Sequence, residues 1–174
     1  MPAVLRVATV AAAVLVAATP AGGTAAEHFD RHGISFSYPT GWSITTRPLS
    51  DGVNPIYRFA VGTAPVRRTS RDSGPCLPGV ARQLARGDVL AYLREAIGAD
   101  RARSLPRMPR RPRSFRLPTA ADSSLCGFGP GGRWIPFKDA GRAFYLGVYV
   151  GPEAPEKRAR ALGRLLDRLQ IDPL

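Results

Sequence analysis

The amino-acid sequence predicts an α+β fold: an antiparallel β-sheet of about five to seven strands with a C-terminal amphipathic helix packed on one face. Short segments of alternating apolar and polar residues recur between turn-forming residues, first at 34–38 and most clearly within 134–150. The chain then ends in a segment whose leucines recur at helical spacing, between 162 and 169. With 44% hydrophobic and 22% charged residues, the composition excludes a disordered tail and a collagen-like repeat.

The N-terminal segment, residues 1–26, has the features of a secretory signal peptide. Arg6 is its only charge, residues 7–18 are apolar, and small residues precede Glu27, where we expect cleavage. The apolar run is shorter than the ~20 residues that span a bilayer, although an uncleaved membrane anchor is the alternative. The sequence therefore predicts a protein secreted to the extracellular space or cell envelope, with residues 27–174 as one domain and no transmembrane span after cleavage.

The two cysteines, Cys76 and Cys126, are expected to form a disulfide, because a secreted protein folds in an oxidising compartment. The alternative is a pair of buried free thiols. Neither cysteine is expected to be a catalytic nucleophile, since no histidine lies near either in sequence and a disulfide has no thiolate.

The first strands follow from alternation. Apolar and polar residues alternate over 34–38 and again over 42–45, with a Pro-Thr-Gly turn between them, so 34–46 is predicted to be a hairpin. The same pattern over 57–61 predicts a third strand. Residues 63–79 are rich in Arg, Pro, Ser and Gly, which is typical of a loop.

The middle of the chain is harder to interpret. Asp88–Ala96 contains a continuous apolar run, Val89–Leu93, as in either a central buried strand or one end of a helix. We favour the strand because Gly98 and the prolines beyond it leave little room for a long helix. A short helical turn is expected within 96–104. Residues 105–118 contain four prolines and cannot form a regular helix or central strand. A short edge strand is expected at 114–117.

After a turn-rich loop at 127–132, Trp134–Lys138 and Arg142–Val150 predict the clearest hairpin, joined by Asp139-Ala140-Gly141. In its second arm one face is aliphatic and aromatic, with Phe144, Leu146, Val148 and Val150, and the other carries Tyr145 and Tyr149. With Trp134 nearby, these tyrosines belong to the core if a helix covers them. If that face is open, they form a shallow binding patch.

The C-terminal helix is expected over about Glu153–Leu169. Its leucines recur at i, i+3, i+4 and i+7, and its arginines lie elsewhere on the helix surface. We expect this apolar stripe to pack on the sheet, with a membrane-surface helix as the alternative.

The stretch Ile34-Ser35-Phe36-Ser37-Tyr38-Pro39-Thr40-Gly41-Trp42-Ser43-Ile44 resembles the N-terminal hairpin of PsbP-like proteins. That superfamily includes an extrinsic subunit of photosystem II, a Ran-binding nuclear import factor and secreted actinobacterial proteins of unknown role. The run from Phe137 to Phe144 and the helix ending Leu165-Leu166-Asp167-Arg168-Leu169 are also similar to the secreted members. The resemblance implies an α/β/α sandwich, an antiparallel sheet flanked by helices, with a binding or assembly role. It transfers no functional residue.

The most distinctive chemical feature is a basic, proline-rich segment at 101–118, here called the Pro/Arg segment. Between 101 and 116 it has no acidic residue and seven arginines: Arg101, Arg103, Arg107, Arg110, Arg111, Arg113 and Arg116. Without residues 1–26 the chain keeps 24 basic and 13 acidic residues, a net charge of +11. Such a segment is suited to contacts with the phosphates or carboxylates of a polymer. The alternative is a solvated basic loop in an arginine-rich chain.

Other candidate chemistry is sparse. His28, Asp30 and His32 could bind a transition metal, but they lie near the expected N-terminus, and a polar approach to the first strand is the simpler interpretation. Glu95 is the one acid in an apolar strand; it is expected to pair with an arginine rather than to act as a catalytic acid. We expect no metal and no other cofactor.

The sequence has no G-x-S-x-G, H-E-x-x-H or phosphate-binding glycine loop. It therefore favours a secreted, non-catalytic binding or accessory module that contacts anionic envelope polymers through the Pro/Arg segment. The alternatives are a secreted hydrolase with a site assembled from scattered residues, and an assembly subunit that docks an envelope protein through its sheet face. Specific nucleic-acid recognition is not expected.

Overall fold

The computed structural model describes residues 25–72, 77–118 and 131–174. The strands in these ranges are β1 (Ala26–Arg31), β2 (Ile34–Pro39), β3 (Ser43–Thr45), β4 (Ile56–Gly62), β5 (Val89–Ala96), β6 (Gly132–Asp139), β7 (Arg142–Val150) and β8 (Gln170–Ile171). The helices are α1 (Pro78–Gln83), α2 (Gly98–Ser104) and α3 (Glu156–Asp167). Residues 1–24 of the predicted signal peptide, both cysteines of the predicted disulfide and most of the predicted 127–132 loop lie outside the described residues.

The strands form two antiparallel sheets, which confirms the predicted α+β class. The larger sheet has the order β3-β4-β5-β7-β6 and the smaller one the order β1-β2-β8. The main core contains apolar side chains of both sheets and of α3. The C-terminal helix therefore packs on the sheet, as predicted.

The predicted hairpin at 34–46 is wrong, although its turn is present, with the Trp42 N–H donating to the Pro39 carbonyl at 3.1 Å. β2 pairs instead with β1, and β3 pairs with β4 in the other sheet. Phe29 in β1 is buried, and its ring stacks on that of Phe36 at a centroid distance of 5.0 Å. This contact makes β1 a partner for β2, although the sequence predicted only a polar segment before the first strand.

β5 lies at the centre of the larger sheet, and all of its residues are buried. One face contributes to the main core, and the other contributes Leu90 and Tyr92 to a second cluster that includes Val80 of α1 and Tyr149 of β7. A strand covered on both faces needs no alternating polar positions, which explains the apolar run from Val89 to Leu93. The strand prediction for 88–96 is confirmed, as is the helical turn within 96–104, which is α2.

β6 and β7 form the predicted hairpin. Ala140 and Gly141 make its two-residue turn, with φ values of 48° and 73°, so both lie in the left-handed region that this kind of turn requires. The predicted division of β7 is also correct: its aliphatic face lies in the main core, while Tyr149 lies in the second cluster and is 2% exposed. The tyrosine face therefore belongs largely to the core.

α3 is shorter than the predicted helix at 153–169. It begins after Pro155, whose φ of −56° and ψ of 137° are not helical, and ends at Asp167. Leu162, Leu165 and Leu166 are buried in the main core. The apolar stripe is thus already covered by protein, which excludes the alternative of a membrane-surface helix.

Two further expectations need correction. The loop predicted over 63–79 ends earlier, because α1 begins at Pro78, a residue suited to the first turn of a helix. The edge strand predicted at 114–117 is absent. The Pro/Arg segment pairs with β6 only through an isolated parallel bridge, in which the Lys138 N–H donates to the Pro109 carbonyl at 2.8 Å and the Arg111 N–H donates to the Lys138 carbonyl at 2.9 Å.

A buried ion-pair cluster lies inside the larger sheet. Glu95 of β5 and Arg142 of β7 are 0% and 1% exposed. Arg142 donates to both carboxylate oxygens of Glu95, at 2.9 and 2.7 Å, and Arg58 of β4 donates to the same carboxylate at 2.5 Å. Burial would raise the pKa of Glu95, but hydrogen bonds and charges from Arg142 and Arg58 outweigh burial and hold the pKa below its usual value.

The same guanidinium joins the two sheets. Arg142 donates to the carbonyls of His32 and Gly33, in the turn between β1 and β2, at 3.1 Å each. It also donates at 3.2 Å to the carbonyl of Asp172, directly after β8. The expected pairing of Glu95 with arginine is confirmed, and this carboxylate is part of the link between the sheets.

Replacing Glu95 tests this cluster. Glu95→Gln leaves Arg142 buried without its counter-charge, so we expect the free energy of unfolding at pH 7 to fall by about 3–5 kcal/mol. Because the folded pKa of Glu95 is lowered, its contribution is fully present above the unfolded pKa of ~4.3 and is lost as pH falls through the folded pKa. Urea denaturation of wild type and variant from pH 7 downwards measures both effects.

The matched control is Glu153→Gln, which removes an exposed ion pair with Arg86. It is expected to change stability by less than about 1 kcal/mol. A difference between wild type and Glu95→Gln that already disappears between pH 7 and pH 5 would contradict the lowered pKa.

Candidate functional site

The Pro/Arg segment lies across the end of the β6–β7 hairpin and the C-terminal end of α3. Two apolar side chains fix it to the protein: Met108 is 7% exposed and Phe115 is 4% exposed. The Phe115 ring packs edge-on against Phe137 at a centroid distance of 5.5 Å. The Phe115 N–H also donates to the Asp167 carboxylate at 2.8 Å. The segment is therefore a fixed part of the fold, although it contains almost no regular structure.

Arg111 has a structural role. Its guanidinium donates to the carbonyls of Leu166, Asp167 and Leu169 at 2.9, 3.0 and 2.5 Å. These carbonyls lie at the C-terminal end of α3, where the last carbonyls of a helix have no N–H donor within the helix and the helix dipole favours a cation. Arg111 also forms a 3.2 Å ion pair with Asp139. Of the seven arginines predicted to contact a polyanion, Arg111 therefore already has its guanidinium bound by carbonyls and a carboxylate of the protein.

The arginines of α2 are partly engaged as well. Arg103 forms an ion pair with Asp100 one helical turn earlier, and its carbonyl accepts a hydrogen bond from Arg107 at 3.0 Å. Arg101 is half-buried. This end of the segment carries less uncompensated charge than the sequence suggests.

The remaining arginines form an exposed array. They recur at every third residue, and none of them makes an ion pair with another described residue: Arg107, Arg110, Arg113 and Arg116. The residues that fix the segment lie between them, so successive guanidinium groups are presented from a chain held at both Arg111 and Phe115. We call these four residues the arginine array.

Two adjoining grooves follow the segment. One, of about 610 Å³, is lined by residues that include Arg110, Lys138 and Ala140. The other, of about 340 Å³, is lined by residues that include Arg107 and Tyr145. Lys138, which the sequence analysis did not single out, donates to the Leu105 carbonyl at 3.1 Å and adds a cation to the first groove. Only the contact of the hairpin with the Pro/Arg segment reveals this role, because Lys138 and Arg110 are 28 positions apart in sequence.

Within residues 25–72, 77–118 and 131–174, the acids that contact the Pro/Arg segment have partners outside the array. Asp100 pairs with Arg103, and Asp139 pairs with Arg111. The Asp167 carboxylate accepts hydrogen bonds from the Ser114 hydroxyl and the Phe115 N–H.

The other predicted candidates do not assemble with this segment. His28 lies in β1 and His32 lies in the turn that follows it. Within the described ranges, no group of three or more His, Cys, Asp or Glu side chains could hold a metal ion. Glu95 is enclosed by Arg58 and Arg142, which hold the pKa of its carboxyl below the usual value. It is therefore unsuited to act as a general acid.

The tyrosine face is mostly covered, and Tyr145 is half-buried beside the groove that contains Arg107. The Tyr145 ring stacks on that of Trp134 at a centroid distance of 5.7 Å. The Tyr145 and Ser104 hydroxyl oxygens are 3.2 Å apart, within hydrogen-bond distance. Burial raises the pKa of Tyr149 to about 12. A docking surface centred on these two tyrosines is therefore closed by the second cluster and by α2.

No protein-family model, curated protein or solved structure matches the chain. The resemblance to PsbP-like proteins rests on the sequence motifs and stays a prediction. Among the helices of the described residues, none has the length and hydropathy that crossing a bilayer requires.

Replacing Arg111 separates the structural from the exposed arginines. Arg111→Gln removes charged hydrogen bonds to the end of α3, and we expect unfolding free energy to fall by about 1.5–3 kcal/mol. Arg110→Gln is the matched control, because its side chain is exposed, and it is expected to stay within about 0.5 kcal/mol of wild type. Chemical denaturation followed by circular dichroism makes the comparison. Equal stability of the two variants would contradict the capping role of Arg111.

Proposed function

We propose that the protein is a secreted, non-catalytic binding module that contacts anionic polymers of the cell envelope through the arginine array. The observation that carries the proposal is the array itself: four exposed arginines at three-residue spacing, without ion pairs among the described residues, on a segment fixed by buried anchors. Secretion enters the proposal from the signal-peptide features of residues 1–26.

Arginine suits this role because its planar guanidinium forms two parallel hydrogen bonds with a phosphate or carboxylate. Each phosphate contact also releases condensed counterions, which makes binding tighter at low salt. A polymer repeats its charges along its length, as the array does, so several weak contacts form together.

The anchors also matter for affinity. A flexible loop loses conformational freedom when it binds, and that loss weakens binding. Here Arg111 and Phe115 already hold the backbone between the exposed positions. We therefore infer that the array binds with less loss of backbone entropy than a disordered basic tail would.

Two other functions receive less support. A hydrolase would need an acid other than Glu95, whose carboxylate is bound by Arg58 and Arg142. An assembly subunit that docks through Tyr145 and Tyr149 would have to open a packed face. An envelope protein with an acidic surface remains compatible with the arginine array.

The proposal predicts that polyphosphate affinity depends steeply on salt concentration and on the charges of the arginine array in particular. We expect wild-type protein to bind a phosphate-rich polymer such as polyphosphate, and Arg110→Gln/Arg113→Gln/Arg116→Gln to bind more weakly. The slope of log K against log salt should become shallower by about one for each arginine that contacts a phosphate. Fluorescence anisotropy at several salt concentrations gives both quantities.

The matched control is Arg31→Gln/Arg71→Gln/Arg82→Gln, which removes three exposed arginines elsewhere on the protein. It is expected to keep most of the affinity, because the lost charges lie outside the array. The same loss in both triple variants would show that net charge alone drives binding, and would overturn the proposed site.

A further inference from the structure

A third groove, of about 570 Å³, lies between β2 and α3. It shares no lining residue with the two grooves of the Pro/Arg segment. Its size falls within the ~300–1,000 Å³ typical of small-molecule sites. The chemistry of its walls differs from one side to the other.

The α3 side of the groove is cationic. Arg164 and Arg168 are one helical turn apart, so both guanidinium groups are on the same side of the helix. Both are exposed, and neither forms an ion pair in the part of the chain that the structure describes. The acids of α3 are engaged elsewhere: Glu156 pairs with Arg160, and Asp167 binds the Pro/Arg segment.

The opposite side is polar and includes the His28 imidazole. It contains Ser35 and Ser37 of β2 and Gln170 of β8. The Ser35 hydroxyl donates to the side-chain oxygen of Gln170 at 3.3 Å, which leaves the amide nitrogen of Gln170 available as a donor. Hydroxyls, an amide and an imidazole are groups that hydrogen-bond to the hydroxyls of a ligand.

Between these walls the groove is lined by Ala161 of α3 and by Phe36 and Leu165, which are each only 3% exposed. Tyr38 lines it as well, and its hydroxyl donates to Glu27 at 2.8 Å. Glu27 itself does not line the groove. The combination is therefore two cations on one side and hydrogen-bonding groups on the other.

We propose that this groove binds an anionic sugar unit, a saccharide that carries a carboxylate or a phosphate. The acidic group binds Arg164 and Arg168, and the ring hydroxyls bind Ser37, Gln170 and His28. An inorganic anion would use only the cationic side, and a neutral sugar only the polar side. The inference does not rest on the arginine array.

The test is an NMR titration of the purified ¹⁵N-labelled protein at constant ionic strength. Glucuronic acid and glucose 6-phosphate are the probes, and glucose, inorganic phosphate and a triglutamate peptide are the comparisons. We expect the two acidic sugars to bind more tightly than all three comparisons, with shifts centred on β2 and the end of α3. Their shared chemistry is the anionic sugar, and the two probes distinguish carboxylate from phosphate.

Two variants locate the site. Arg164→Gln/Arg168→Gln is expected to weaken binding of the acidic sugars at least about tenfold, which corresponds to one lost charge-assisted hydrogen bond. Ser37→Ala removes a hydroxyl from the opposite wall at an exposed position. It is expected to weaken the acidic sugars by about two- to fivefold and to leave inorganic phosphate unaffected.

Arg113→Gln/Arg116→Gln is the matched control, since it removes the same charge from the arginine array. It should leave sugar binding within about twofold of wild type, because neither arginine lines this groove. Equal weakening by the two double variants would overturn the proposal, as would phosphate or triglutamate binding as tightly as the acidic sugars. Loss of polyphosphate binding with sugar binding retained would refute only the proposed function of the array.

Discussion

The arrangement of the fold depends on the hydrogen bonds of Arg142. This guanidinium is almost fully buried, and it binds Glu95 in the centre of the larger sheet and three backbone carbonyls that belong to the smaller sheet. A buried arginine without these partners would be strongly unfavourable. The cluster is therefore satisfied only when β5, β7, the β1–β2 turn and the end of β8 are all in place. It makes the relative position of the two sheets specific in a way that apolar contacts alone would not.

The Pro/Arg segment combines packing with surface charge. Met108, Arg111 and Phe115 hold it against the hairpin and α3, and these anchors lie between the members of the arginine array. The prolines restrict the backbone between them. A basic segment that looks uniform in sequence thus contains two kinds of arginine, and only contact with carbonyls at the end of α3 distinguishes Arg111 from its neighbours.

Local pattern predicted much of the fold. The β6–β7 hairpin, β4, β5 and the buried leucines of α3 followed from alternation, turn residues and helical spacing. The pairing of strands was harder to predict from sequence, because the Pro-Thr-Gly turn after β2 reverses the chain whether or not the flanking strands pair with each other. The role of Arg142 could not be predicted, since its partners at His32 and Asp172 are distant in sequence.

The same separation explains the candidate sites. Charge density indicated the Pro/Arg segment directly, whereas the groove between β2 and α3 combines residues from both ends of the chain. Ser37 and Arg164 have no unusual local pattern, and they line one groove only because β2 and α3 pack side by side. A site made in this way requires the tertiary fold before it can be recognised.

The bridge between the Pro/Arg segment and β6 also bears on self-association. β6 is an edge strand of the larger sheet, and an exposed edge offers unpaired backbone groups to another chain. The backbone N–H and carbonyl of Lys138 are bound by Pro109 and Arg111, and Pro136 has no N–H to offer. The proline-rich segment thus blocks strand addition at the Lys138 end of this edge, and its arginines repel a second copy of the same surface. The feature that gives the protein its basic character therefore also makes this end of β6 a poor partner for another strand.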